Sequence, residues 1–143
     1  MRNLGVGVIG TGVMGADHAR RLAAGVAGAR LAAVQDKDES RARAVAAACG
    51  CRVIPEAAAL VRDPQIDAVL VASPDETHAQ LAIACIEAEK PVFVEKPLAS
   101  SLEGARAVIA AETRSGRRLV QVGFMRRFDP GYRAMKAELG GKR

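Results

Sequence analysis

The sequence predicts an α/β fold, a doubly wound parallel sheet of six strands in the order 3-2-1-4-5-6 with helices on both faces. Three observations carry that expectation. Apolar runs alternate six times with helix-forming segments over short connections, the pattern of parallel strands joined by right-handed crossovers. The runs lack the polar alternation of a half-exposed sheet, which marks strands buried on both faces. The first run ends in a turn of closely spaced glycines that opens a helix.

The elements follow in order. Residues 4–9 form a short uncharged run, and 13–24 change to the helical period, rich in Ala. A second strand covers 29–34 and ends at Gln35-Asp36; a helix follows from Asp38 to Ala48, closed by Cys49-Gly50. Residues 51–54 read as a third strand. Pro55 suits the first turn of a helix through Ala57 to Val61, which stops before Asp63-Pro64. Asp67 to Ala72 is the clearest buried strand, followed after Ser73-Pro74 by a helix from Asp75 to Glu89 whose first acids suit its positive end. Residues 91–94 make a fifth strand that meets Glu95-Lys96-Pro97. Ser100 or Ser101 caps a helix ending at Ser115-Gly116, and 118–123 form the sixth strand. Residues 124–130 are an irregular connection, and 131–139 begin another helix. The expected division is a dinucleotide-binding domain over 1–123 and a connection over 124–143.

The glycine turn points to that ligand. In Gly10-Thr11-Gly12-Val13-Met14-Gly15, the first glycine permits the tight turn, the second lets backbone approach a pyrophosphate, and the third lets helix pack on strand. The helix N-terminus then faces the phosphates. Glycine is common here, 14 of 143 residues, so the spacing alone is a weak signal and the surrounding strand, helix, strand and acid must carry it. Asp36 lies 21 residues after Gly15, near the spacing of an acid that binds the adenosine ribose; the competing role is a cap for the helix near Asp38. The assembly reads as a Rossmann fold.

Composition narrows the function classes. Half of the residues are hydrophobic, enough for a core, and no apolar run is long enough to span a bilayer. Glycines crowd the N-terminal stretch, which argues against a secretory signal, whose apolar region is helical. The expected location is cytoplasmic. Cys49, Cys51 and Cys85 form no metal-ligand spacing and read as reduced structural thiols, so no metal is expected. The net charge of +5 comes from residues 114–143, which hold 9 basic and 2 acidic groups against 12 and 14 before them. A nucleic-acid patch would want stacking or reading elements that are missing, so no nucleic-acid or membrane partner is expected.

Ligands of an open parallel sheet bind beyond the carboxyl ends of its strands. That edge gathers the glycine turn, Asp36, Ser73-Pro74, Glu95-Lys96-Pro97 and residues 123–127. Lys96, directly after a buried strand, could reach a substrate as a general base; the competing reading is a surface lysine paired with a nearby acid.

The glycine turn, the Asp67 to His78 segment, Val94-Glu95-Lys96-Pro97 and Val122-Gly123-Phe124-Met125-Arg126-Arg127-Phe128-Asp129 together resemble the Gfo/Idh/MocA oxidoreductases, through essentially the whole chain and in the family's order. The resemblance implies an NAD-dependent dehydrogenase that moves a hydride from a secondary alcohol of a cyclic polyol or sugar, with myo-inositol foremost from the last motif. By position, Lys96 resembles the lysine that contacts the reacting hydroxyl, Glu95 and Pro97 shape its bend, and the Lys96-Pro97 bond is often cis in relatives. Met125 and Arg126 resemble substrate-pocket positions. Ser73, Pro74 and His78 resemble residues near the middle of the cofactor, His78 reading equally as a helix-start residue satisfied locally, while His18 reads as an ordinary helix histidine. Asp36 favours NAD over NADP, an inference that Lys37 and Arg41 weaken.

Relatives continue into a C-terminal α/β domain, absent from these 143 residues, that supplies an Asp and a His, much of the substrate pocket and the oligomer interface. The expectation is a truncated chain that binds dinucleotide but catalyses poorly or not at all alone, with the basic stretch from Arg114 onward facing the missing domain and the ligands. The alternative is a stand-alone dinucleotide-binding regulatory module.

Overall fold

The computed structural model describes residues 3–140, so Met1, Arg2 and residues 141–143 lie outside the described residues, as do the ends of both expected segments. Six strands form one parallel sheet: β1 (Leu4–Ile9), β2 (Ala29–Gln35), β3 (Arg52–Val53), β4 (Ala68–Val71), β5 (Val92–Val94) and β6 (Val120–Val122). Their order is β3-β2-β1-β4-β5-β6, as the sequence predicts. The crossovers are α1 (Val13–Gly25), α2 (Glu39–Cys49), α3 (Ala57–Arg62), α4 (Asp75–Glu87) and α5 (Leu102–Ser115). A 3-10 turn at Met125–Arg127 and α6 (Pro130–Gly140) follow.

Strand side chains alternate between two cores because successive residues point to opposite faces. Val8 and Leu70 meet Ala19 of α1 and Ala46 of α2 on one face. Ile9, Val69, Val71, Val92 and Val94 meet Leu60, Ala82, Ile86 and Val108 on the other. The helices contribute many alanines to these layers, among them Ala19, Ala42 and Ala82 at 0% exposure, so they ride close to the sheet. All three cysteines are free. Burial pushes the Cys85 thiol up to about 12, and burial with the nearby Cys49 pushes Cys51 up to about 11, which suits inert structural thiols.

Several boundaries differ from the sequence reading for local reasons. Pro55 does not open α3: its carbonyl accepts from Gln35 Nε2 at 3.1 Å, and Glu56 takes the N-cap position. α4 stops at Glu87, two residues early, because Glu89 adopts a left-handed φ of 56° and its N–H turns back to Ile86 O. β6 begins at Val120 because Glu112 Oε1 accepts the N–H groups of Leu119 and Val120, each at 2.8 Å. Asp38 and Ser101 are true caps, accepting from Arg41 N and Gly104 N.

The basic stretch also divides. Arg114, Arg117 and Arg118 lie at the end of α5 and the entry to β6, the opposite end of the sheet from the glycine turn. Only the part from Arg126 onward follows the carboxyl end of β6, so the expectation that the whole stretch faces the ligands is corrected. α6 packs against the preceding 3-10 turn and buries none of its residues.

Leu60 is fully buried under the sheet, whereas Ile109 of α5 is 59% exposed. Leu60→Ala is expected to lower unfolding free energy by about 2–5 kcal/mol. Ile109→Ala should change it by less than about 0.5 kcal/mol. Urea unfolding of both variants measures the contrast.

Candidate functional site

β1 delivers the glycine turn to the centre of the sheet edge, where β2 and β4 pin it: Gly10 N donates to Gln35 O and Ala72 N to Ile9 O, both at 2.8 Å. Two of the three glycines serve this packing. Gly10 has φ of 88°, and a Cβ there would sit 2.6 Å from Ala72 O. A Cβ on Gly15 would sit 1.8 Å from Gly10 O, so α1 approaches the turn as closely as backbone permits. Gly12 is different. The nearest atom to its missing Cβ is Arg41 Nη1 at 4.0 Å, so the protein itself does not require glycine there. Gly12 is also the N-cap of α1 and offers no side-chain cap, which leaves the first-turn N–H groups facing open space.

Thr11 and Asp36 join the turn to β2. Thr11 is 2% exposed, and its N–H and hydroxyl both donate to Asp36 Oδ2, at 2.7 and 2.9 Å. Asp36 Oδ1 accepts from Asp38 N at 2.9 Å, and Arg41 Nε lies 4.0 Å from the carboxylate. Burial pushes the Asp36 carboxyl up, but the bonds from Thr11 and Asp38 and the Arg41 charge outweigh it and hold it below the usual range. Asp36 is therefore a clamp on the glycine turn as well as a candidate ribose acceptor, while Asp38 caps α2. The Asp38 carboxyl is pulled down to about 2 by Ser40, the Arg41 N–H and the Arg41 guanidinium 3.2 Å away.

A cleft of about 890 Å³ opens over this edge. Gly10, Gly12 and Asp36 form its floor, with Val13 and Met14 from α1, and Ser73 and Pro74 opposite. Its far end is lined by Ala57, Val61, Gln80 and Leu81, residues of the α3 and α4 faces that sequence reasoning did not single out. Only their helical spacing signalled them, and that signal equally describes core. Arg41 and Lys37 also line the cleft. Its size suits a ligand larger than a single ring.

The other expected residues stand outside that cleft. β5 ends at Val94, and Glu95 N donates to Val71 O at 2.9 Å, so the Glu95-Lys96-Pro97 bend leaves the sheet beside β4. The Lys96-Pro97 peptide is cis. Lys96 is exposed and makes no hydrogen bond or ion pair among the described residues, so its amine is not paired with a neighbouring acid. Glu95 is buried, and its Oε1 lies 2.8 Å from His18 Nε2. His18 thus belongs to the site's support rather than being an ordinary helix residue. The signal was its place three residues after Gly15, on the helix face that meets the sheet.

His78 is 1% exposed, with Nδ1 2.6 Å from Pro97 O and Nε2 2.9 Å from Ser73 O. Both partners are backbone carbonyl oxygens, which accept from a ring N–H. With so little surface, His78 supports the bend from behind rather than touching a ligand. Arg126 donates to Asp129 Oδ2 at 3.2 Å and stacks over the Tyr132 ring at 5.0 Å, while Met125 stays 49% exposed.

Comparison with known proteins agrees with this geometry. The Gfo/Idh/MocA model, an oxidoreductase family with an NAD-binding Rossmann fold, matches residues 4–124. Inositol 2-dehydrogenase 1 of Saccharopolyspora erythraea is 57% identical over 136 residues, covering 94% of this chain and 40% of that protein. Inositol 2-dehydrogenase of Acidothermus cellulolyticus is 51% identical over 139 residues, covering 96% and 41%. The crystal structure of myo-inositol dehydrogenase from Lactobacillus casei in complex with NAD(H) and myo-inositol superposes with a TM-score of 0.91 at 40% identity, over 97% of this chain and 42% of that one. The chain spans about 40% of the length of the curated relatives it matches.

The geometry separates the glycines by experiment. Gly15→Ala is expected to cost about 3 kcal/mol or more, since its Cβ meets backbone, whereas Gly12→Ala should cost about 1 kcal/mol at most. Urea unfolding reads both. The depressed Asp36 carboxyl stabilises the fold fully above its unfolded value, about pH 4, and that contribution is lost as pH falls through the folded value. Asp36→Asn should therefore lose less stability than wild type between about pH 5 and about pH 3, measured by the shift in urea midpoint.

Proposed function

The chain belongs to the Gfo/Idh/MocA oxidoreductase family, and on that premise we propose that it is the NAD-binding part of a dehydrogenase acting on a secondary alcohol of a cyclic polyol, myo-inositol foremost. The observation that carries the proposal is the open space over Gly12 at an uncapped helix N-terminus, set beside the Asp36 carboxylate in one cleft. A dinucleotide diphosphate fits the first, and a ribose diol fits the second. Identity of 57% to an inositol 2-dehydrogenase supports the substrate class.

In this reading each residue has a definite task. The first-turn N–H groups of α1 hold the diphosphate. Asp36 keeps an acceptor position for a ribose hydroxyl beside its bonds to Thr11 and Asp38, and its charge repels a 2′-phosphate. Arg41, which could favour NADP, is engaged by Asp38 at 3.2 Å, so the balance at the ribose end favours NAD. Ala57, Val61 and Leu81 offer an apolar wall to the adenine. Ser73 and Pro74 border the middle of the cofactor, and Met125 and Arg126 face the substrate.

Bound NAD would supply the hydride acceptor. Lys96 places its untethered amine at the carboxyl end of β5, where it contacts the reacting hydroxyl and assists its loss of a proton. The inositol 2-dehydrogenases that it matches are longer, the chain spanning about 40% of their length. We accordingly propose that this chain binds cofactor without efficient catalysis, and that further polypeptide of the kind its longer relatives carry completes the pocket and the subunit interface. The free cysteines suit a reducing, cytoplasmic setting.

Calorimetric titration with NAD and NADP tests the reading. NAD is expected to bind more tightly than NADP, and Gly12→Ala and Asp36→Ala should each weaken NAD by about ten-fold or more, ~1.4 kcal/mol. Asp36→Ala also releases Thr11, so Gly12→Ala is the cleaner variant. A folded chain that takes up neither dinucleotide would refute the proposal. Added myo-inositol and NAD should give little or no NADH absorbance with this chain alone.

A further inference from the structure

We propose that His18 is a positioning residue for Lys96, acting through the Glu95 carboxylate to set where the lysine amine lies. The inference rests on the assignment of Lys96 as the group that meets the substrate hydroxyl. Lys96 is exposed and has no bond of its own among the described residues, so its place is decided by the backbone on either side.

That backbone is held from both faces of the sheet. Along β5, Val92 and Val94 point to the α4 side and Phe93 to the α1 side; Glu95 continues the alternation and points toward α1. Its side chain is only 11% exposed, and a polar group so far from water needs a hydrogen-bond partner. His18 Nε2 supplies one at 2.8 Å. The His18 ring also stands edge-on to Phe93, with centroids 5.8 Å apart at 65°. Gly123 closes the floor, since a Cβ there would lie 2.8 Å from Phe93 Cζ and 3.3 Å from Glu95 Oε2. On the opposite face, buried His78 grips Pro97 O.

The two supports differ in kind. His78 is enclosed and joins backbone to backbone. His18 is 23% exposed and sits on α1, the helix whose first turn faces the diphosphate position. Gly15 locks that helix against the turn, so His18 measures the position of Glu95 from the cofactor-binding element itself. The pair thereby ties the lysine to the cofactor site across 77 residues of sequence.

Amide hydrogen exchange by NMR on the 143-residue chain tests this. Glu95 N, bonded to Val71 O, reports the bend, and Val69 N, bonded to Pro91 O, reports the other end of the same strand pair. His18→Ala should speed exchange at Glu95 by about five-fold, the equivalent of ~1 kcal/mol, shift the Lys96 amide resonance, and leave Val69 unchanged. His18→Gln, which keeps an N–H near the position of Nε2, should restore both signals. Unchanged exchange at Glu95, equal acceleration at Val69, or failure of Gln to restore the signals overturns the positioning role. The cofactor reading fails separately: a wild-type chain that binds no NAD refutes it, while the exchange comparison, made without ligand, still decides His18.

Discussion

The contact between α1 and the turn that precedes it governs the rest of this structure. With no Cβ at Gly15, the helix backbone closes on the Gly10 carbonyl, and with no Cβ at Gly10 the turn passes under Ala72 and Ser73. Closing those distances places a helix N-terminus at the carboxyl edge of the central strands. The proposed diphosphate position lies there because backbone dipoles and unbonded N–H groups are brought to one point. Gly12 then keeps that point open, which the fold itself does not demand.

From that contact the site extends in two directions, each carried by hydrogen bonds to a carboxylate. Toward β2, Thr11 delivers two hydrogen bonds to one oxygen of Asp36, so the proposed ribose acceptor also fixes the glycine turn. Toward β5, His18 on the same helix meets Glu95 and so reaches the bend of Lys96. The proposed cofactor contacts and Lys96 are thus referred to one helix. Such an arrangement keeps reacting groups in register with little freedom left to lose on binding.

Much of this was legible in the sequence because the signals are local. Glycine spacing, the uncharged strands, the acid after β2 and the proline after Lys96 each reflect chemistry confined to a few residues, and the strand order follows from the chirality of crossovers. Boundaries failed where a distant group intervened. Glu112 reached across to the N–H groups of Leu119 and Val120 and delayed β6, and Gln35 claimed the Pro55 carbonyl, so that α3 starts after Glu56 instead. The basic stretch looked continuous along the chain, yet β6 places its two halves at opposite ends of the sheet.

The sequence by itself determined the fold class, the order of the strands and the place of the glycine turn between β1 and α1, since each depends on backbone preferences that neighbouring residues express directly. Tertiary structure decided what the histidines do. His18 has no partner near it in sequence, and packing brought it to the Glu95 carboxylate just beyond β5; His78 meets Ser73 O nearby in sequence, and packing added the distant Pro97 carbonyl. It also decided that Lys96 has no ion pair among the described residues. Those outcomes depend on side chains meeting across layers, at distances in space that sequence separation does not encode.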